Sequence, residues 1–123
     1  MSTHEISFVI KGQPYSKANS RRLVQKGGRP MFIKSKEALQ YLNAFQLQCP
    51  RCDPLIEKSQ DVSAHIKIFY QSRRPDLDES LILDAMQGLV YENDRSVKEK
   101  HIYWGLDKEN PRAEITIKKI LAA

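Results

Sequence analysis

Two aspartates separated by a single residue, Asp76 and Asp78, are the side chains of this sequence best suited to chemistry. If Asp76-Leu77-Asp78 is extended, both carboxylates point to the same side of the backbone. Carboxylates this close together repel each other unless a cation lies between them. Mg²⁺ prefers hard oxygen ligands of this kind and keeps several of its own waters. The spacing is therefore suited to a Mg²⁺ site, to which Asp94, in a turn after the following helix, can return as a third ligand.

The same acidic residues also have purely structural interpretations. Asp78 can cap the helix that follows, Glu79 can complement the dipole of that helix, and Asn93-Asp94 can form an ordinary turn. Glu79 is in addition a candidate extra metal ligand. Asp84, inside the helix, is a candidate to support the ligands from behind, with a solvated structural role equally open. The residue pattern alone does not choose between these interpretations.

The positive charge of the chain is concentrated ahead of the acidic segment. The net charge is +5, which suits a polyanionic partner, and no acidic residue occurs between Lys11 and Lys36. A phosphodiesterase needs such a pairing, because one part must hold phosphates while another holds cations. An ordinary solvated loop is the alternative for the basic region. The residues expected to contact DNA phosphates are Lys17, Arg21, Arg22, Lys26, Arg29 and Arg74.

Hydrophobic periodicity and turn residues predict the elements that position these side chains. We expect the order β-β-α-β-α-β-β, an α+β protein with a mixed sheet and two main helices in one domain spanning residues 1–123. The basic loop at 13–30 should form part of a hairpin that turns at Gly27-Gly28. The predicted elements are a strand at 5–11, a short strand at 31–33, a helix from Ser35 to Pro50, a strand at 61–70, a helix at 81–89, and strands at 98–105 and 113–120.

Faces of two elements can also be predicted. Ser35 is a good N-cap for the first helix, whose apolar stripe should comprise Ala38, Leu39, Leu42, Phe45 and Leu47. In the strand at 61–70, alternation places Val62, Ala64, Ile66 and Ile68 on one face. His65 falls on the opposite face, so a solvated or hydrogen-bonded role is favoured over a ligand role.

The cysteines and the apolar content point away from several other classes of protein. Cys49 and Cys52 form a lone pair with no second pair of ligands, so we expect reduced thiols without a metal or redox role. No apolar run approaches the ~20 residues that a membrane span needs. The first residues lack a basic stretch followed by a long apolar one. A cytoplasmic protein is therefore expected.

Residues 73–97 and the elements around them resemble the RusA-like Holliday-junction resolvases. The matching runs, in the family's order and near its spacings, are Asp76-Leu77-Asp78, Leu83-Asp84-Ala85-Met86, Gly88-Leu89-Val90-Tyr91 and Asn93-Asp94-Arg95-Ser96-Val97. The resemblance implies Mg²⁺-dependent, paired nicking of four-way DNA junctions by a homodimer, with roles in recombination and repair in a bacterium or its phage. It assigns the metal site to Asp76, Asp78 and Asp94.

One stretch departs from the family pattern. The family usually continues as Asp-Leu-Asp-Asn-Leu-x-Lys, whereas here Glu79-Ser80 follows, the chain is two residues shorter, and the lysine has no counterpart. Either another cation replaces it, with Arg74, Lys98 and Lys100 near in sequence, or Glu79 changes how metal is held. Two rival functions follow: a non-catalytic protein that binds branched DNA, and a nuclease for flaps or forks.

The late strands raise two further expectations. His101 is a candidate base, although a structural or phosphate-contacting role is favoured. Apolar residues of these strands are candidates for a dimer interface, with burial in the core of the monomer the favoured alternative: Ile102, Trp104, Ile115 and Ile117.

Overall fold

The computed structural model describes residues 4–14 and 21–121, with the backbone alone at 21–26 and 29–34. Its elements confirm the α+β class, and the hairpin supplies two strands where the sequence suggested one. They are β1 (Glu5–Lys11), β2 (Arg21–Lys26), β3 (Arg29–Lys34), α1 (Lys36–Gln48), β4 (Val62–Tyr70), α2 (Ser80–Ala85), β5 (Val97–Leu106) and β6 (Arg112–Lys119).

Four of the strands form a mixed sheet in the order β1-β6-β4-β5. The β1/β6 and β6/β4 pairs are antiparallel, whereas β4 and β5 are parallel. As predicted, alternate residues of β4 form a buried face, with Val62, Ala64 and Ile68 fully buried. Because β4 and β5 run the same way, the chain that leaves β4 after Tyr70 starts beside the carboxyl end of β5.

Helix α1 begins where the sequence predicted, because the Ser35 hydroxyl accepts a hydrogen bond from the Ala38 N–H at 3.1 Å. Its apolar stripe was predicted only in part. Leu39 is 47% exposed and Leu47 is 89% exposed, while Tyr41 takes a place in the core. At about 100° per residue, Leu47 lies half a turn round the helix from Ala38, so the two cannot share a buried face.

Helix α2 is shorter than predicted, ending at Ala85 rather than near residue 89. The chain turns at Gly88, whose φ of +82° leaves the helical region, and the Gly88 N–H donates to the Tyr91 carbonyl at 2.8 Å. Leu89 and Val90 are nevertheless buried. Apolar periodicity therefore continues past the end of the helix, because the turn is buried as well.

The β2–β3 hairpin turns at Gly27-Gly28, as predicted. Their φ values of +62° and +78° suit the two-residue turn that joins twisted strands. In the register, Lys26 lies opposite Arg29 next to the turn, and Arg21 lies opposite Lys34 at the other end. Basic residues thus occupy both ends of a two-stranded ribbon.

The hydrophobic core lies on one face of the four-stranded sheet, against Phe45 of α1 and Met86. Core burial is confirmed for Ile115 and Ile117, whereas Ile102 and Trp104 are partly buried and pack against the core. No helix within the described ranges is long and apolar enough to cross a membrane.

Candidate active site

The acidic segment, residues 71–79, connects the end of β4 to α2 without regular secondary structure. Two contacts with β5 fix its direction. The Trp104 indole N–H donates to the Pro75 carbonyl at 3.2 Å, and the Lys100 ammonium donates to the Glu79 carboxylate at 3.3 Å. Five residues of the segment therefore lie alongside five residues of β5 in the reverse direction, so the segment runs toward the start of β5.

A single hydroxyl group joins the two predicted metal ligands of the segment. The Tyr70 hydroxyl donates to the Asp76 carbonyl at 3.2 Å and accepts from the Asp78 N–H at 3.3 Å. Tyr70 is the last residue of β4 and is only 2% exposed. The backbone of Asp76-Leu77-Asp78 is thus held by a buried side chain of the sheet.

The side chains of the segment have different surroundings. The Asp76 side chain is exposed, whereas Asp78 and Glu79 are half-buried. Asp78 Oδ1 accepts from the N–H of Ser80, the first residue of α2, at 2.9 Å, whereas the N-cap position falls on Glu79, whose side chain makes no capping bond. Burial raises the pKa of Tyr70, an effect to which the charges of Asp78, Glu79 and Asp76 add, while the hydrogen bond from the Asp78 N–H opposes it. All three carboxylates therefore act on one hydroxyl.

Asp94 lies on a different element. It begins a single 3₁₀ turn, Asp94–Ser96, in which the Asn93 side chain accepts from the Arg95 N–H at 2.9 Å. The Asp94 N–H donates to the Gln87 side chain at 3.2 Å. The turn interpretation of Asn93-Asp94 is therefore confirmed. Since β5 starts at Val97, Asp94 lies at the end of β5 toward which the acidic segment runs.

Asp84 and Asp94 both act on the same tyrosine, Tyr91. Burial raises the pKa of Tyr91, and the charges of Asp94 and Asp84 raise it further. The Tyr91 hydroxyl donates to the Leu83 carbonyl of α2 at 2.7 Å. Both aspartates thus lie near a buried tyrosine that is bonded to the helix.

Within residues 4–14 and 21–121, no three His, Cys, Asp or Glu side chains form a group that could hold a metal ion. Asp76, Asp78 and Asp94 therefore do not form a closed three-carboxylate cage in this structure. Mg²⁺, however, is commonly bound by one or two carboxylates together with waters and substrate phosphates. Asp76 and Asp78 offer two carboxylates from a backbone that the Tyr70 hydroxyl holds, which is the number of protein ligands that such Mg²⁺ binding needs.

The predicted DNA-contacting residues fall in three places. Lys17 lies outside the described residues. Four others are on the hairpin, where the backbone positions are described: Arg21, Arg22, Lys26 and Arg29. Arg74 is exposed and immediately precedes Pro75 of the acidic segment.

His101 lies on the wrong face of the sheet to act as a base at the acidic segment. Its ring stacks on that of His65 with centroids 4.4 Å apart, and its Nε2 lies 3.1 Å from a Glu99 carboxylate oxygen. Lys100 and Trp104, which contact the segment, point to the opposite face. The structural interpretation of both histidines is therefore supported.

The two cysteines differ in burial, with Cys49 buried and Cys52 partly buried. Cys49 and Cys52 are free thiols. Burial is the main cause that raises the pKa of Cys49 to about 11, so its thiol stays protonated near neutral pH.

Sequence reasoning missed the roles of Tyr70 and Trp104. Both were assigned to strands, but nothing in their spacing indicates that they bind the acidic segment. The available signal was chemical: a buried tyrosine or tryptophan usually finds a hydrogen-bond partner for its polar atom.

Comparison with known proteins identifies a family for most of the chain. The family model described as endodeoxyribonuclease RusA matches residues 11–118, a span that contains the hairpin, the acidic segment and Asp94. No curated protein matches the chain.

Proposed function

Because the chain belongs to the RusA endodeoxyribonuclease family, we propose that it is a Mg²⁺-dependent enzyme that resolves four-way DNA junctions by paired nicking. Recombination and repair are the processes that produce such junctions. The observation that carries the proposal is the pair of aspartates in the matched region, whose backbone is held by two hydrogen bonds to the Tyr70 hydroxyl.

Asp76 and Asp78 would hold the metal ion, and Asp94 would supply a third carboxylate. The ion, when bound, lowers the pKa of a water and stabilises negative charge on the phosphate that is cleaved. Asp78 enters this site with its carboxylate already oriented by the Ser80 N–H. Asp76, exposed on the same backbone, faces the solvent from which DNA arrives.

The hairpin and Arg74 would hold the DNA by its phosphates. Contacts of this kind supply affinity with little sequence information. Selectivity for a junction would then arise from the shape of the DNA rather than from its bases.

The test is a cleavage assay on a synthetic four-way junction, with and without Mg²⁺, on the wild type and three variants: Asp76→Asn, Asp78→Asn and Asp94→Asn. Each variant keeps the size of the side chain and removes its charge. We expect cleavage to fall by about 100-fold or more, because a metal ligand is removed, while junction affinity stays within about twofold.

Glu5→Gln is the matched control, because it removes a carboxylate charge on the edge strand farthest from β5. It should cleave at the wild-type rate. Wild-type cleavage by Asp76→Asn or Asp94→Asn would contradict the proposed site. A wild-type protein that binds junctions without cutting them would instead be a non-catalytic relative, and faster cutting of flaps or forks would change the substrate.

A further inference from the structure

Three backbone groups of the acidic segment are bonded to aromatic side chains of the sheet. The Pro75 carbonyl accepts from the Trp104 indole, and Tyr70 bonds both the Asp76 carbonyl and the Asp78 N–H. Residues 76–79 have no regular secondary structure, so strand or helix bonds do not fix their backbone. The aromatic pair provides that restraint instead.

The restraint comes from two adjacent strands of the four-stranded sheet. Tyr70 ends the central strand β4 and is 2% exposed, and Trp104 is on the adjacent parallel strand β5. Their rings stack, with centroids 5.9 Å apart and planes 28° from parallel. Movement of either ring is therefore limited by the other and by the core.

The Tyr70 hydroxyl is suited to setting a distance because it both donates and accepts. Its two partners flank Leu77, so the hydroxyl fixes the separation of the peptide groups next to Asp76 and Asp78. The two carboxylates repel each other in the absence of a cation, which favours spreading of the segment. Two hydrogen bonds to one oxygen atom oppose such spreading.

We propose that Tyr70 and Trp104 are positioning residues that hold the Asp76 and Asp78 carboxylates at the separation a divalent cation requires. This inference rests on the proposed function, which assigns a Mg²⁺ ion to Asp76 and Asp78. Neither aromatic residue touches substrate or metal in this role. Both act through the backbone of the acidic segment.

Tyr70→Phe and Trp104→Phe, made in the full chain, test the proposal. Each removes a hydrogen-bonding atom and keeps an aromatic ring in the stack. We expect the half-saturating Mg²⁺ concentration for cleavage to rise about tenfold in Tyr70→Phe, since residues that orient metal ligands typically change metal affinity by about 10–100-fold. Trp104→Phe should show a smaller rise, and the KM for the junction should change less than about twofold in both.

A second readout does not depend on activity. Trp104 is the single tryptophan of the chain, so its fluorescence reports on the acidic segment without labelling. A Mg²⁺ titration of the DNA-free protein should change the emission of the wild type. The midpoint should move to higher Mg²⁺ in Tyr70→Phe, and the change should disappear in Asp76→Asn.

Tyr41→Phe is the matched control. Its hydroxyl is also buried, but it has no hydrogen-bond partner among the described residues. The same atom is removed, so cleavage and both Mg²⁺ midpoints should equal those of the wild type.

The outcomes separate this proposal from the proposed function. A wild type that does not cleave junctions defeats the function, and the fluorescence titration then still tests the positioning role. Wild-type Mg²⁺ midpoints in Tyr70→Phe, in cleavage and in fluorescence, overturn the positioning role alone. If Tyr70→Phe does not fold, Trp104→Phe decides the matter by its half-saturating Mg²⁺ concentration for cleavage and by a calorimetric Mg²⁺ titration of the DNA-free protein, because this variant lacks the only tryptophan of the chain.

Discussion

The ammonium group of Lys100 lies 3.3 Å from a carboxylate oxygen of Glu79, the residue after the predicted ligand Asp78. The Glu79 side chain is 18% exposed and that of Lys100 is 48% exposed. An ion pair at this exposure contributes little to stability. The ion pair does, however, place the Lys100 ammonium beside the acidic segment, in a chain that lacks the family's lysine. Among Arg74, Lys98 and Lys100, the structure thus favours Lys100 as the replacement.

Glu79 is therefore expected to orient Lys100 rather than to bind metal. Glu79→Gln and Lys100→Ala should each lower the cleavage rate by a similar factor, and the double variant should be no slower than Lys100→Ala, because both remove one interaction. The half-saturating Mg²⁺ concentration should stay unchanged in Glu79→Gln. Lys98→Ala, which removes a charge from the same strand, serves as the control and should cleave normally. A several-fold higher Mg²⁺ requirement in Glu79→Gln would make Glu79 a metal ligand.

Only part of this site could be predicted from the sequence. The spacing of Asp76 and Asp78 is local, so the alternation of an extended backbone is enough to pair them. The choice of Lys100 over Lys98 depends on the contact between the Lys100 ammonium and the Glu79 carboxylate, which the sequence does not reveal. The hydrogen bond from the Trp104 indole to the Pro75 carbonyl joins residues that are far apart in the chain, so the sequence alone does not reveal it.

At the scale of elements, the β2–β3 hairpin is the element that we propose holds the DNA. A two-stranded ribbon fits the major groove of a duplex. Its register places Lys26 opposite Arg29 and Arg21 opposite Lys34, so two ends of the ribbon carry paired positive charges. The glycine turn made this element predictable, because Gly27-Gly28 favours a tight hairpin.

Replacement of Arg21 and Arg22 by Ala should weaken binding to all DNA shapes by similar factors. Removal of each phosphate-binding side chain should reduce the slope of log affinity against log salt by about 0.9, because fewer counterions are released. Lys67→Ala combined with Lys118→Ala removes the same charge from the four-stranded sheet and should leave the slope unchanged. If the slope changes only in this control pair, the DNA lies across the sheet rather than on the hairpin.

The remaining elements show where periodicity succeeds and where it fails. The central strand β4 was predicted well, because one of its faces is buried along its whole length and alternation reports this directly. The end of α2 was predicted wrongly, because Leu89 and Val90 are buried in a turn and extend the apolar pattern. Leu89 and Val90 continue the apolar pattern because the turn that contains them is buried, and not because they belong to the helix.

At the scale of the whole molecule, the chain offers one acidic segment and therefore one cut at a time. Resolution of a four-way junction needs two symmetric cuts before the branches separate. A twofold dimer would provide two equivalent sites, related by the symmetry of the junction itself. The buried positions of Ile115 and Ile117 show that these residues are not free to form its interface.

We therefore expect a homodimer, with each protomer cutting one strand. Sedimentation at micromolar protein should give twice the mass of the chain, and the dimer should persist on the junction.

Mixing the wild type with an excess of Asp76→Asn gives a sharper test, since that variant should bind DNA without cutting it. Exchange of subunits would produce dimers with one working site, so paired cuts should decline while single nicks accumulate in the same reaction. The control is an equal excess of Glu5→Gln, which should leave paired cutting intact because both sites of every dimer still work. A protein that stays monomeric in solution and on the junction would cut single strands independently, and the mixture would then give no shift toward single nicks.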